Sequence, residues 1–430
     1  MNIKRYAIAA MMFSAAVFQS AAQPAAPADS LADRSGSAVT ANAESASGLS
    51  SDAQEVLHTQ NLDDILAAVE ANNPELISIM SDVEAQSLQM KSENMLEDPS
   101  VEYSSFYKGG VSGQAGSELV VSQGFDFPTL YAAKHKRNEL SRASLNSSLA
   151  NERRRILLDA KSLCLDIIMY RQTGELLSMQ SEIADELLLL YRQRLESGDA
   201  SALEVNKIRM ELMSVATDVA ANSAALDAAC RALQSMNGGQ PIVFDADFYP
   251  LVEEVVDPDA TVEEYLSSDA SIHAAESAAE AAQKEIAVNR QGWIPRFEVG
   301  YRRNTDIREA EHGFLVGGSI PLFSNHRKVA TAKARSVAAS SALNSVRLQS
   351  EAEVRSILTE IRQTESALSA YDEPLMRETL SLLQKAVESG EISLIDYFVE
   401  TSSIYSNLTS CITLRNNYHK LMARLYKNRL

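Results

Sequence analysis

The feature that most constrains this chain is its internal duplication. Reading from Pro99 and again from Pro295, the same order appears: a short alternating strand pair, a very long amphipathic helix, a glycine turn and a returning helix. Asp98-Pro99-Ser100-Val101-Glu102-Tyr103 aligns with Ile294-Pro295-Arg296-Phe297-Glu298-Val299. Phe127-Pro128 aligns with Ile320-Pro321, and Glu196-Ser197-Gly198 with Glu388-Ser389-Gly390. The offsets stay near about 195 residues, which marks a duplicated domain rather than a short solenoid repeat. Each half holds only two strands and two long helices, too little to enclose a core, so copies must assemble around something.

The strands are recognised by a period of two. Val101, Tyr103 and Tyr107 share one face of 100–108, against Glu102, Ser104 and Lys108. Leu119, Val121, Phe125 and Phe127 alternate with Glu118, Ser122, Gly124 and Asp126. In the second copy Phe297, Val299 and Tyr301 oppose Arg296, Glu298 and Arg302, and Phe314, Val316, Ile320 and Leu322 oppose small or polar neighbours. Each segment approaches the ~9–11 residues of a tilted strand that crosses a bilayer. Lipid-facing and core-facing strands give the same period, but no further strand lies nearby in sequence to complete a soluble sheet. On the membrane reading, Tyr103, Phe297, Val299 and Tyr301 face lipid. The connections Gly109 to Gly116 and Asn304 to Gly313 read as polar loops.

After each hairpin comes a helix of unusual length, Thr129 to Glu196 and about Asn325 to Glu388, each reaching ~100 Å at 1.5 Å per residue. Such a rod cannot bury itself. Ile156, Leu163, Tyr170, Leu177, Ala184 and Tyr191 recur every seven residues, as do Val354, Ile361, Leu368, Leu375 and Leu382. A sustained seven-residue period calls for packing against neighbouring helices. Pro374 predicts a kink near Tyr371. Gly198 and Gly390 close the rods as left-handed caps, and Ala202 to Ser235 and Ser393 to Asn428 return antiparallel.

The remaining segments define five regions. Residues 1–22 read as a secretory signal, with Lys4 and Arg5 before the apolar run Tyr6 to Phe18 and a small-residue cleavage site at Ser20-Ala21-Ala22. About 13 apolar residues fall short of the ~20 that a spanning helix needs. Residues 23–60 are an Ala/Ser/Pro-rich leader, 61–240 the first repeat, 241–260 a linker with an extended piece at Ile242 to Phe244, and 261–430 the second repeat. Helices are expected at Leu62 to Asn72, Pro74 to about Leu96, Val262 to Leu266 and Ser271 to Arg290.

Net charge is −19, which makes nucleic acid an unsuitable partner and an acidic pore favourable to cations. The three cysteines, Cys164, Cys230 and Cys411, lie in helical segments and read as small core residues. His58, His135, His273, His312, His326 and His419 show no metal-ligand spacing, and the sequence carries no nucleophile elbow, phosphate loop or metalloprotease helix. An enzyme, a resident metal and a cofactor are therefore not expected.

Four strands cannot close a barrel, and lipid does not tolerate open sheet edges. Two chains give eight strands with a filled interior, whereas three give twelve and leave an aqueous lumen. At this point the sequence resembles the TolC-like outer-membrane factors (outer membrane efflux proteins), closest to their cobalt-zinc-cadmium, CzcC-like branch. The resemblance rests on Asn73-Pro74-Glu75-Leu76, on Glu97-Asp98-Pro99-Ser100-Val101-Glu102 and on Ser122-Gln123-Gly124-Phe125. It rests also on Trp293-Ile294-Pro295, on Ser319-Ile320-Pro321-Leu322-Phe323 and on the two glycine turns. It implies a mainly α protein with a transmembrane β-barrel: a homotrimer whose twelve-stranded barrel in the outer membrane continues as a periplasmic α-helical barrel.

The resemblance further implies a passive exit duct, docked to a periplasmic adaptor and an inner-membrane pump, often of the resistance-nodulation-division type. The branch points to divalent heavy-metal cations as cargo, with drugs or other small toxic solutes as the alternative. In this family an acid six residues after the turn glycine lies near the periplasmic constriction. Here those positions are Glu204 and Asp396, with Glu400 close by, while Gly198 and Gly390 form the tips that dock the adaptor. Where some members carry a basic residue two after the glycine this chain has Ile392, and where some carry a second acid it has Val399. Two other classes share some of these features. A periplasmic adaptor has one helical hairpin but not two matching strand pairs, and a coiled-coil rod explains the heptads but not the strands.

Overall fold

The computed structural model describes residues 57–430 apart from positions 108, 111, 112, 307, 308, 322 and 324. The first half of the chain contains β1 (Leu57–Thr59), α1 (Leu62–Asn72), α2 (Pro74–Ser92), β2 (Ser100–Phe106), β3 (Gly116–Phe125), α3 (Pro128–Ser197) and α4 (Ala202–Met236). The second half contains β4 (Ile242–Phe244) in the linker, then α5 (Pro258–Ser268), α6 (Ala270–Gln291), β5 (Arg296–Asp306), β6 (Ala310–Ser319), α7 (Lys328–Leu368), α8 (Glu373–Ser389) and α9 (Leu394–Leu425). None of the helices among the described residues is long and apolar enough to cross a membrane.

The α3 rod runs unbroken for 70 residues, about 105 Å. Its equivalent in the second copy does not. The expected kink is a full break: α7 ends at Leu368, and α8 restarts after Asp372, whose Oδ1 accepts the Leu375 N–H at 3.0 Å. Pro374 has no N–H to give to Ala370 and its ring would strike that carbonyl, so it fits only in the first turn of a new helix. The break shifts the seam. Val354, Ile361 and Leu368 lie buried or half-buried along α7, but Leu375 and Leu382 are exposed while Leu380 and Val387 turn inward.

The helices bury one stripe each, in separate clusters along the rods. Ile65, Val69 and Leu76 pack with Ile156, Ile167, Ile168, Leu233 and Phe244. Val262 and Tyr265 pack with Val354, Ile357, Ile361, Met422 and Leu425. Near the glycine turns, Leu187, Tyr191, Val205 and Ile208 join Val387, Leu394 and Tyr397, tying one hairpin to the other. The repeats share a buried cap at matching places. Asn73 Oδ1 accepts the Leu76 N–H at 2.9 Å and its Nδ2 donates to Met236 O at 2.9 Å. Asp269 accepts from Ser271 N at 2.9 Å and from Ser350 Oγ at 2.7 Å.

Several expectations need correction. Leu57–Thr59, at the end of the leader, forms a parallel ladder with Ile242–Phe244. α2 stops at Ser92 rather than near Leu96, because the chain must extend to enter β2 at Ser100. The polar stretch after Asn304 is mostly strand, since β5 reaches Asp306 and β6 resumes at Ala310. Cys164 and Cys411 are buried, but Cys230 is exposed. α4 buries Ala229 and Leu233, and Cys230 sits about 100° around the helix from Ala229.

Candidate channel-forming surfaces

The four long strands form one antiparallel sheet in the order β2-β3-β5-β6. The two hairpins are joined through β3 and β5, with Val121 opposite Tyr301 and Phe125 opposite Phe297. The register stacks the apolar phase of every strand on one face. Val101, Val121, Tyr301 and Phe314 form one cross-strand row, and Gln123, Val299 and Val316 the next. At the helix end of this face the Phe297 ring lies 6.2 Å from Phe125 and 6.3 Å from Phe127. Tyr103, Phe297, Val299 and Tyr301 all stand on this face and are exposed in the single chain.

The other face carries charge and small residues. Glu118 and Arg302 form an ion pair there, flanked by Glu102, Glu298, Gly300 and Gly317. At the passage from sheet to rods, Asp126 collects two cations: Arg296 Nε donates to Oδ1 at 2.9 Å and Lys134 Nζ to Oδ2 at 3.1 Å. Arg296 also pairs with Glu97. This junction links both repeats, and sequence reading missed it. An acid just before the first rod and a base opening the third long strand were its only signal. β2 and β6 each have one neighbour in the sheet, so both edges are open.

The far ends of the rods are built alike. Gly198 and Gly390 have φ of 87° and 81°, the left-handed region where a side chain costs energy. The Asp199 N–H reaches Arg194 O at 2.7 Å and the Glu391 N–H reaches Ala386 O at 2.9 Å, the Schellman pattern at both turns. Arg194 Nη2 donates to Glu388 O at 2.5 Å, locking the two tips together.

The acids six residues beyond the glycines have a shared local role. Ser201 caps α4 and Glu204 completes a capping box: Ser201 N and Oγ donate to Glu204 Oε2 at 2.7 and 2.8 Å. Those donors hold the Glu204 carboxyl below the usual carboxylate range. Ser393 caps α9 in the same way, its Oγ accepting the Asp396 N–H at 3.2 Å and donating to Asp396 Oδ2 at 2.7 Å. Both acids thus stand three residues after a capping serine and bond to it. Asp396 stays exposed, with the exposed Glu400 one turn further on.

The family model described as "Outer membrane efflux protein" matches residues 261–428. The fold is that of outer-membrane channels. A membrane protein from Pseudomonas aeruginosa is similar at a TM-score of 0.72 and 17% identity, over 87% of this chain and 91% of that one. The outer-membrane channel OprN is similar at 0.71 and 13%, over 85% and 89%. The Campylobacter jejuni CmeC outer membrane channel is similar at 0.70 and 14%, over 86% and 85%. No curated protein sequence matches the chain significantly. The family match in the second repeat and the channel fold over most of the chain point to a non-enzymatic transport channel.

Proposed function

We propose that this protein is the outer-membrane channel of a tripartite efflux system, a passive duct for solutes delivered by an inner-membrane pump through a periplasmic adaptor. The observation that carries this reading is the sheet: four strands with two open edges, one apolar face and one charged face. In lipid such edges must be paired, and three copies close a twelve-stranded barrel around water. Tyr103, Phe297, Val299 and Tyr301 then meet the outer-membrane lipid and the Glu118–Arg302 face lines the lumen. The rods continue the duct through the periplasm.

In this reading residues 1–22 are the export signal, 23–60 the leader, 61–240 and 261–430 the two efflux repeats and 241–260 their linker. Gly198 and Gly390 shape the tips that dock the adaptor, and Asp396, Glu400 and Glu204 lie at the periplasmic constriction. The pump is of the resistance-nodulation-division type. Divalent metal cations are the cargo we favour, supported by the CzcC-like sequence resemblance and the net charge of −19. Mass measurement of the detergent-solubilised complex tests the assembly. Three protomers are expected, and a stable monomer or dimer refutes it.

A further inference from the structure

The four-stranded sheet sorts its charges by face. Glu102, Glu118, Glu298, Asp306 and Glu311, the carboxylates carried by these strands, all fall in the phase of the charged face, as do Arg296 and Arg302. Of the acidic, basic and histidine side chains on the four strands, only Arg303 and His312 fall in the apolar phase. They are direct partners on β5 and β6, in one row with Tyr103 and Leu119, and both are exposed. The next row outward holds Ser105, Ser117, Thr305 and Ala310, so the apolar face ends here. Its other end, beside the rods, is the Phe125, Phe127 and Phe297 cluster. Arg302 is paired with Glu118, whereas Arg303 makes no ion pair among the described residues.

We infer that Arg303 and His312 bind the phosphate of a lipid headgroup in the outer leaflet. This rests on the membrane reading above, which puts the rods in the periplasm and the loop end of the sheet at the outer surface. An unpaired guanidinium is costly in hydrocarbon, and at the margin of an apolar band it reaches the headgroups, where lipid supplies the countercharge. Its planar fork takes two oxygens of one phosphate. The Tyr301 phenol meets His312 Nδ1 and, as the stronger acid of the two, donates to it, so the imidazole proton sits on Nε2 and is available as a donor. Cross-strand partners hold their Cβ atoms about 5 Å apart, close enough for both side chains to share one phosphate group. Toward the rods, exposed Phe314 and Val316 offer an apolar surface to acyl chains, which favours a lipid over free phosphate.

Native mass spectrometry of the detergent-solubilised full-length protein tests it, by titration with diphosphorylated lipid A and with the same glycolipid stripped of its phosphates. The native protein should retain the phosphorylated lipid and release the stripped one. Arg303→Gln should weaken retention about tenfold or more, and Arg303→Lys, which keeps the charge but loses the fork, should fall between. His312→Gln, which spares the guanidinium, should weaken it less than Arg303→Gln. Arg302→Gln, the same loss of charge on the other face, should leave it unchanged. Equal retention of both lipids by the native protein, or equal retention by Arg303→Gln and the native protein, overturns the site. Displacement of the lipid by an equal concentration of inorganic phosphate overturns the lipid as its source. Heat-modifiable migration after insertion into phosphatidylcholine vesicles keeps the two readings apart. A native chain that inserts but does not discriminate between the lipids refutes this site alone, and one that never inserts refutes the membrane reading with it.

Discussion

Replacing Val299 with arginine puts the orientation of the sheet to a quantitative test. Val299 lies one cross-strand row above Phe297, opposite Gln123 and Val316. Two residues advance about 6.8 Å along a strand, or about 5 Å of depth at a tilt near 40°. The rows from Phe297 to Arg303 span about 15 Å of depth by the same reckoning. Val299 thus sits about a third of the way in. Arginine on the lipid face costs ~2–4 kcal/mol at midplane and ~0–1 near the interfaces, so about 2 kcal/mol per copy is expected here. That is about 30-fold in the folding equilibrium, and about 6 kcal/mol if three distant copies add. Glu298 is the internal control, one residue away on the charged face, and Glu298→Gln should stay within about 0.5 kcal/mol of the native protein. Denaturant titrations of folding into lipid vesicles, read by heat-modifiable gel migration, measure both. Equal midpoints for Val299→Arg and Glu298→Gln would mean that the apolar face never meets lipid.

Two further outcomes are expected. Asp396→Asn keeps the Ser393 cap but removes a charge from the tip, so reconstituted channels should lose part of their cation preference and divalent block. Unchanged single-channel records would leave Asp396 with capping alone. Burial, with Arg415 and Lys161 nearby, pushes the His419 imidazole from 6.5 down to about 4. The folded ring stays neutral where the unfolded one takes a proton, so stability is full above pH 6.5 and declines as pH falls toward 4. Thermal melts across this window should fall more steeply for the native protein than for His419→Gln, and equal slopes would contradict this.

Much of the fold was legible because it is locally written. The period-two strands, the seven-residue seams and the turn glycines depend only on which residues follow one another, and these elements lie close to where that reading placed them. The capping acids are legible too, in Ser201-x-x-Glu204 and Ser393-x-x-Asp396. A helix start and a charge ring ask for the same residue type, so the sequence alone shows the acids without showing which demand placed them.

What the sequence could not supply was partner choice. That β3 pairs with β5, that Leu57–Thr59 runs beside Ile242–Phe244 and that Asp126 pairs with Arg296 all join residues far apart in the chain. Such contacts depend on which edges and faces remain open once the local elements have formed. The fate of Leu375 and Leu382 shows this most clearly. Periodicity assigned them to the same seam as Val354, and four intervening residues ending at Asp372 rotated them out of it. A period carries no phase across a break in the helix, so tertiary structure alone decided which way they face.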